Sequence, residues 1–130
     1  MSIEELKKKF IVDDDALKNR LEAIATKALK HCVLDTKGNV LFNDPKLTPR
    51  AKLRLTLAAR AIGSQMDSKM KSEVSIEELS ENSGLPKDQV RARAAELVKQ
   101  KLATSPARGV YKAVAHKVEA LIDSVAAKKS

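Results

Sequence analysis

The sequence predicts a mainly α-helical fold with small β-hairpins, and three observations carry that prediction. Helix-starting devices recur: SIEEL occurs at Ser2–Leu6 and again at Ser75–Leu79, Thr48 precedes Pro49, and Pro86 follows Leu85. Apolar residues between these devices repeat at helical spacing. Two stretches break that spacing, and each places a glycine between short apolar runs, as hairpins do. Composition agrees, with 43% hydrophobic residues but only 2% aromatic and no Trp, so the core is built from Leu, Ile, Val and Ala.

Ser2 and Glu5 fit a capping box, in which each side chain takes up a free backbone N–H of the first turn, and predict a helix to Phe10. Asp13, Asp14 and Asp15 offer N-caps to a second helix, about Ala16 to Lys30, whose Leu17, Leu21, Ile24, Ala25 and Ala28 share one face. In VLDTKGNVLF, two apolar runs flank Asp35–Asn39, and Gly38 can take a positive φ; this predicts a hairpin. Thr48 caps, and Pro49 begins, a helix to about Met66. That helix is apolar on two sides, Leu53 with Leu57 and Ala51 with Leu55, Ala58 and Ile62, so it belongs between two layers.

Asp67 to Val74 reads as a linker. Ser75 and Glu78 repeat the capping box and start a helix ending near Glu81. Asn82-Ser83-Gly84 is a turn, and Pro86 opens a helix to about Lys101. Ser105–Gly109 forms a second turn before a short strand, Val110-Tyr111-Lys112. A last helix, about Ala115 to Ala127, carries the stripe Val114, Val118, Leu121, Ile122 and Val125.

Charge narrows the partners. The formal net charge is +8 and the isoelectric point about 9.7, a balance that favours polyanions. Residues 1–45 hold eight basic and eight acidic residues, whereas 46–74 and 87–112 each hold seven basic and two acidic. The excess therefore lies beyond the first third. The single cysteine, Cys32, makes an internal disulfide unattainable and reads as a small core residue. No apolar run approaches a membrane span, and a cytoplasmic location is expected. His31, Cys32 and His116 lack zinc-ligand spacing, and Asp13–Asp15 reads as capping. No phosphate-binding glycine loop, nucleophile elbow or catalytic carboxylate pair is visible, so neither an enzyme nor a cofactor is expected. With two Phe and one Tyr there is no aromatic platform for single-stranded bases.

The ordered set in SIEELSENSGLPKDQVRARAAELVKQKLATSPARGVYKAV is a capped helix, a glycine turn, a proline-initiated basic helix, a second glycine turn and a strand. Preceded by the Pro49 helix, it resembles the winged helix-turn-helix superfamily, and within it the MarR-like and archaeal winged-helix regulators, over about Leu47 to Val114. Ile76, Leu79 and Leu85, then Val90, Ala94, Leu97, Val98 and Leu102, stand at the family's apolar positions, and Arg108-Gly109 with Val110–Lys112 stands where its wing returns. Lys101 departs from the family, which usually has Gly there. The resemblance implies a winged helix-turn-helix domain over residues 47–130, behind an N-terminal helical and hairpin extension over 1–46.

It also implies DNA binding by a small transcriptional regulator. In that reading Lys87, Asp88, Gln89, Ala92, Arg93, Ala95, Glu96 and Lys99 face outward, with Arg91 on the flank. Gln89 pairs with adenine and Arg91 or Arg93 with guanine, while Ala92 keeps the surface low enough for a major groove about 12 Å wide. Lys87, Arg108 and Lys112 hold the phosphate backbone, and Lys99 counts among the DNA-binding residues. The Val114, Val118, Leu121, Ile122 and Val125 stripe either packs on its own domain or pairs two copies, and a homodimer is expected. The competing readings are a protein–protein interaction adaptor and an RNA- or ribosome-associated protein.

The two SIEEL copies stay in register beyond the repeat: Leu17, Leu21, Ile24, Ala25 and Leu29 fall opposite Val90, Ala94, Leu97, Val98 and Leu102, and Arg20 opposite Arg93. Where the second copy has Gly84-Leu85-Pro86-Lys87, the first has Ile11-Val12-Asp13-Asp14. An acidic helix start repels phosphate, so only the second copy is expected to read nucleic acid, and the first to be a structural helix pair.

Overall fold

The computed structural model describes residues 2–10 and 16–127 of the chain. Helix α1 (Ile3–Phe10) starts where the Glu5 N–H donates to Ser2 Oγ at 3.2 Å. The Asp13–Asp15 caps lie outside the described residues. The helix expected from Ala16 to Lys30 is broken in two, α2 (Ala16–Asn19) and α3 (Leu21–Leu29), with Arg20 at φ −115° between them. Strands β1 (Cys32–Leu34) and β2 (Val40–Phe42) pair antiparallel with Leu34 opposite Val40. Asp35 closes their loop by accepting from the Lys37 and Asn39 N–H groups at 2.9 and 2.8 Å.

Helix α4 (Pro49–Met66) has the expected ends, with Thr48 Oγ1 accepting from the Ala51 N–H at 3.1 Å. A two-residue strand, β3 (Val74–Ser75), leads into α5 (Ile76–Ser83), whose capping box has both bonds: the Glu78 N–H to Ser75 Oγ at 3.1 Å and the Ser75 N–H to Glu78 Oε1 at 3.4 Å. Helix α6 (Lys87–Lys99) and the hairpin of β4 (Ala103–Ala107) and β5 (Val110–Ala113) follow, with β5 between β3 and β4. A 3₁₀ turn, Ala115–Lys117, enters α7 (Val118–Ala127). From α4 to β5 the order is a helix, a two-residue strand, two helices and an antiparallel hairpin, behind a helical and hairpin N-terminal extension.

Helix α4 is sandwiched between two cores, but the split differs from the expected one: Ala58 and Ile62, grouped in the sequence with Ala51 and Leu55, pack on the Leu53 side. Leu53, Leu57, Ala58, Ala61 and Ile62 join one core with Leu79 of α5 and Val90 and Leu97 of α6. Ala51, Leu55 and Ala59 join a second core with Cys32, Val40 and Leu47. The first core also takes in Leu17, Ile24 and Ala28, so buried packing runs continuously across residue 46. The C-terminal stripe is spent on this chain: Val118, Leu121, Ile122 and Val125 are all buried, chiefly against α4, and Val114 is half-buried. Of the two arrangements expected for it, packing on its own domain is the one observed, and the surface named for pairing two copies is not open.

Arg60 ties the extension to the remainder. Its guanidinium is buried and donates to the carbonyls of Lys71 at 2.8 Å, Glu73 at 3.1 Å and Gly38 at 3.4 Å, and to Glu78 Oε2. Gly38 is needed for that approach, because a Cβ there would meet the guanidinium at 3.2 Å. Asn82 adds a second tie, accepting from the Val40 N–H at 2.8 Å and donating to the Glu78 carbonyl at 2.7 Å. Helix α5 is thereby fixed from both ends of its outer side.

Candidate nucleic-acid interface

The turn from α5 into α6 is set by small polar side chains. Ser80 Oγ donates to the Leu85 carbonyl at 2.6 Å; Ser83 Oγ donates to the Leu79 carbonyl at 2.6 Å and accepts from the Leu85 N–H at 3.1 Å. Gly84 closes α5 at φ 82°, with its N–H on the Ser80 carbonyl at 2.9 Å. These bonds carry α5 two residues past its expected end at Glu81.

Helix α6 buries Val90, Ala94 and Leu97, spaced to form one stripe. Opposite that stripe, Asp88, Ala92, Ala95, Glu96 and Lys99 are exposed. Lys87 and Arg91 are exposed along one flank; Gln89 is exposed on the other, beside Arg93. The first intrahelical bond runs from the Val90 N–H to the Pro86 carbonyl at 2.9 Å, so the amides of the preceding turn have no helical acceptor and are oriented outward along the axis.

Arg93 differs from its expected outward placement. Its side chain is only 28% exposed, pairs with Glu96 at 3.4 Å, and lines a notch with Arg50, Leu53, Arg54 and Leu97. The start of α4 runs beside α6 and takes up that flank, which periodicity on α6 alone does not reveal. Arg50 and Arg54 thus bring two further cations to the same edge. They were missed as site residues; the signal that marked them was the excess of basic residues over 46–74.

The exit from α6 accommodates Lys101 without glycine. Lys101 takes φ 64°; its N–H bonds the Val98 carbonyl at 3.0 Å and the Leu102 N–H bonds the Leu97 carbonyl at 2.9 Å. This is a Schellman ending with lysine in the left-handed position. The hairpin beyond carries exposed Arg108 at its tip, where Ser105 Oγ donates to the Ala107 and Val110 carbonyls, both at 2.9 Å. Lys112 is not brought to α6. It pairs across the hairpin with Thr104 and lines a cleft against the C-terminal half of α4.

The structure therefore gathers Lys87, Gln89, Arg91, Ala92, Arg93 and Lys99 on one helix, adds Arg50 and Arg54, places Arg108 on the neighbouring hairpin tip and turns Lys112 elsewhere. Among the described residues no group of three or more His, Cys, Asp or Glu side chains is disposed to hold a metal, and no helix is long and apolar enough to cross a membrane. Cys32 is buried at the start of β1, and burial pushes its thiol up to about 11. In the first SIEEL copy Ser2–Leu6 are exposed, while α3 packs on α4 and α7. Arg20 there pairs with Glu119 at 3.1 Å instead of flanking an open helix.

Comparison with family models, curated proteins and solved structures finds no match for this chain.

Proposed function

We propose that the chain is a small transcriptional regulator that binds double-stranded DNA by laying α6 in the major groove. The observation that carries this reading is the form of α6: an open outer face kept low by Ala92 and Ala95, with Lys87 and Arg91 on one edge and Arg50, Arg54 and Arg93 on the other. Gln89 and Arg91, near the helix start, are the residues in reach of base edges. The edge arginines and Arg108 neutralise phosphates, and Asp88 and Glu96 supply acceptors of the kind that cytosine amino groups pair with.

Selecting bound fragments from random duplex DNA tests the proposal. Recovery of one motif, with discrimination relaxed at one position in Gln89→Ala, is expected. Equal retention of duplex RNA, or no enrichment, opposes it. A homodimer reading two half-sites needs a surface other than the C-terminal stripe, which is buried. A second reading, a protein-interaction adaptor, is favoured by exposed Leu29, Val33, Leu41 and Met66 away from α6.

A further inference from the structure

We propose that the N-terminal β1–β2 hairpin holds α6 at its reading angle and that Asn82 is the positioning residue that joins them; this rests on α6 being the helix that enters the groove. Helix α6 packs chiefly on α5 and β4, so the tilt of α5 largely sets its own. Asn82 stands in the last turn of α5, just before the Gly84 turn that leads into α6. Its Oδ1 accepts from the Val40 N–H at 2.8 Å, across 42 residues of chain, and its Nδ2 donates to the Glu78 carbonyl at 2.7 Å. The second bond pins the side chain to its own helix, and the first pins that helix to β2.

Hairpin geometry leaves the Val40 N–H to Asn82. Leu34 faces Val40 in the ladder, and the bond beside that pair runs from the Asp35 N–H to the Asn39 carbonyl at 2.9 Å. Antiparallel pairs alternate, so the Val40 N–H points away from β1 and has no acceptor within the hairpin. Val40 is buried, and a buried N–H needs a partner. One attachment alone would act as a pivot. The hairpin makes a second through Arg60, whose guanidinium bonds the Gly38 carbonyl at 3.4 Å and the Glu78 carboxylate. Glu78 and Asn82 lie one turn apart on α5, about 6 Å along its axis, and two attachments so spaced remove the rotation that one permits. A helix that reads base edges needs its angle held to roughly 10–20°.

Residual dipolar couplings of the full chain report the angle between α4 and α6 with no duplex present, so their outcome is separate from the DNA reading. Asn82→Ala is expected to change that angle by roughly 10° or more, and Asn82→Asp, which keeps an acceptor for the Val40 N–H, to preserve it. Asn82→Gln, with its amide displaced by one methylene, takes the place of Asn82→Ala should the latter not fold. On DNA, affinity for the selected motif should fall roughly fivefold or more in Asn82→Ala while a scrambled duplex is bound as before, and Asn82→Asp should restore the ratio of the two. A merely structural asparagine would lower the melting temperature and leave angle and ratio alone. An unchanged angle in the folded Asn82→Ala protein, an unchanged ratio where the wild type binds the motif, or the same change in Asn82→Asp overturns the proposal. A wild-type chain that binds neither duplex overturns the DNA reading, and the angle still decides whether the hairpin holds α6.

Discussion

The Arg60 guanidinium and the Glu78 carboxylate form an ion pair in which the arginine side chain is 8% exposed, and the same glutamate closes the capping box on Ser75. One contact therefore joins α4, the start of α5 and, through the Gly38, Lys71 and Glu73 carbonyls, the hairpin and linker. Arg60→Met fills the volume but leaves three carbonyls and a carboxylate without their donor. Glu78 is partly exposed, so the main loss is the donor to those carbonyls; a loss of about 2 kcal/mol or more in urea unfolding is expected, and a loss under about 1 kcal/mol would show the joint to be incidental.

Acid should act on the same joint. Burial pushes the Glu78 carboxyl up, but the Arg60 hydrogen bond and charge, with help from Ser75, outweigh it and leave the group below the ordinary glutamate range. Glu119 is also held low, by hydrogen bonds from Lys27 and then Arg20. A carboxyl with a depressed folded pKa contributes stability above its unfolded pKa and loses it as pH falls through the folded one. Unfolding free energy is thus expected to decline from about pH 5 downward, and less steeply in Glu78→Gln. Equal slopes for the two proteins would contradict the assignment.

Two backbone positions give opposite signs. Lys101 adopts φ 64°, so Lys101→Gly relieves a left-handed penalty and should stabilise by roughly 1 kcal/mol. Gly84 adopts φ 82° with nothing within 4 Å of an added Cβ, so Gly84→Ala meets no clash and should cost about 1 kcal/mol through the backbone alone. Chemical denaturation of both variants checks the pair.

The Cys32 thiol, buried and raised to about 11, should resist a disulfide reagent at neutral pH in the folded protein and react fully in urea. Fast modification of the native protein would mean that the second core opens readily.

Local chemistry was legible in the sequence wherever the signal is carried by neighbours in the chain. Thr48-Pro49 located the start of α4, Ser75 with Glu78 located α5, and the two apolar sides of α4 announced the sandwich. Convergence from afar was not legible. Nothing in Arg60's neighbourhood names the three carbonyls that meet it, and periodicity on α6 does not show that α4 lies against Arg93. An apolar stripe such as Val118–Val125 states that it needs cover without saying whose. The break at Arg20 was invisible because the residues on either side keep a helical period across it.

The central claim is that α6 and the start of α4 offer a cationic frame to a duplex groove. Fluorescence anisotropy of a labelled duplex across a salt series measures it most directly. The expected result is affinity falling with a slope of about −0.9 per phosphate neutralised, with the slope shallower by about two in Arg50→Ala/Arg54→Ala and binding strongly weakened in Arg91→Ala/Arg93→Ala. Affinity indifferent to salt, or equal in all three proteins, would contradict it.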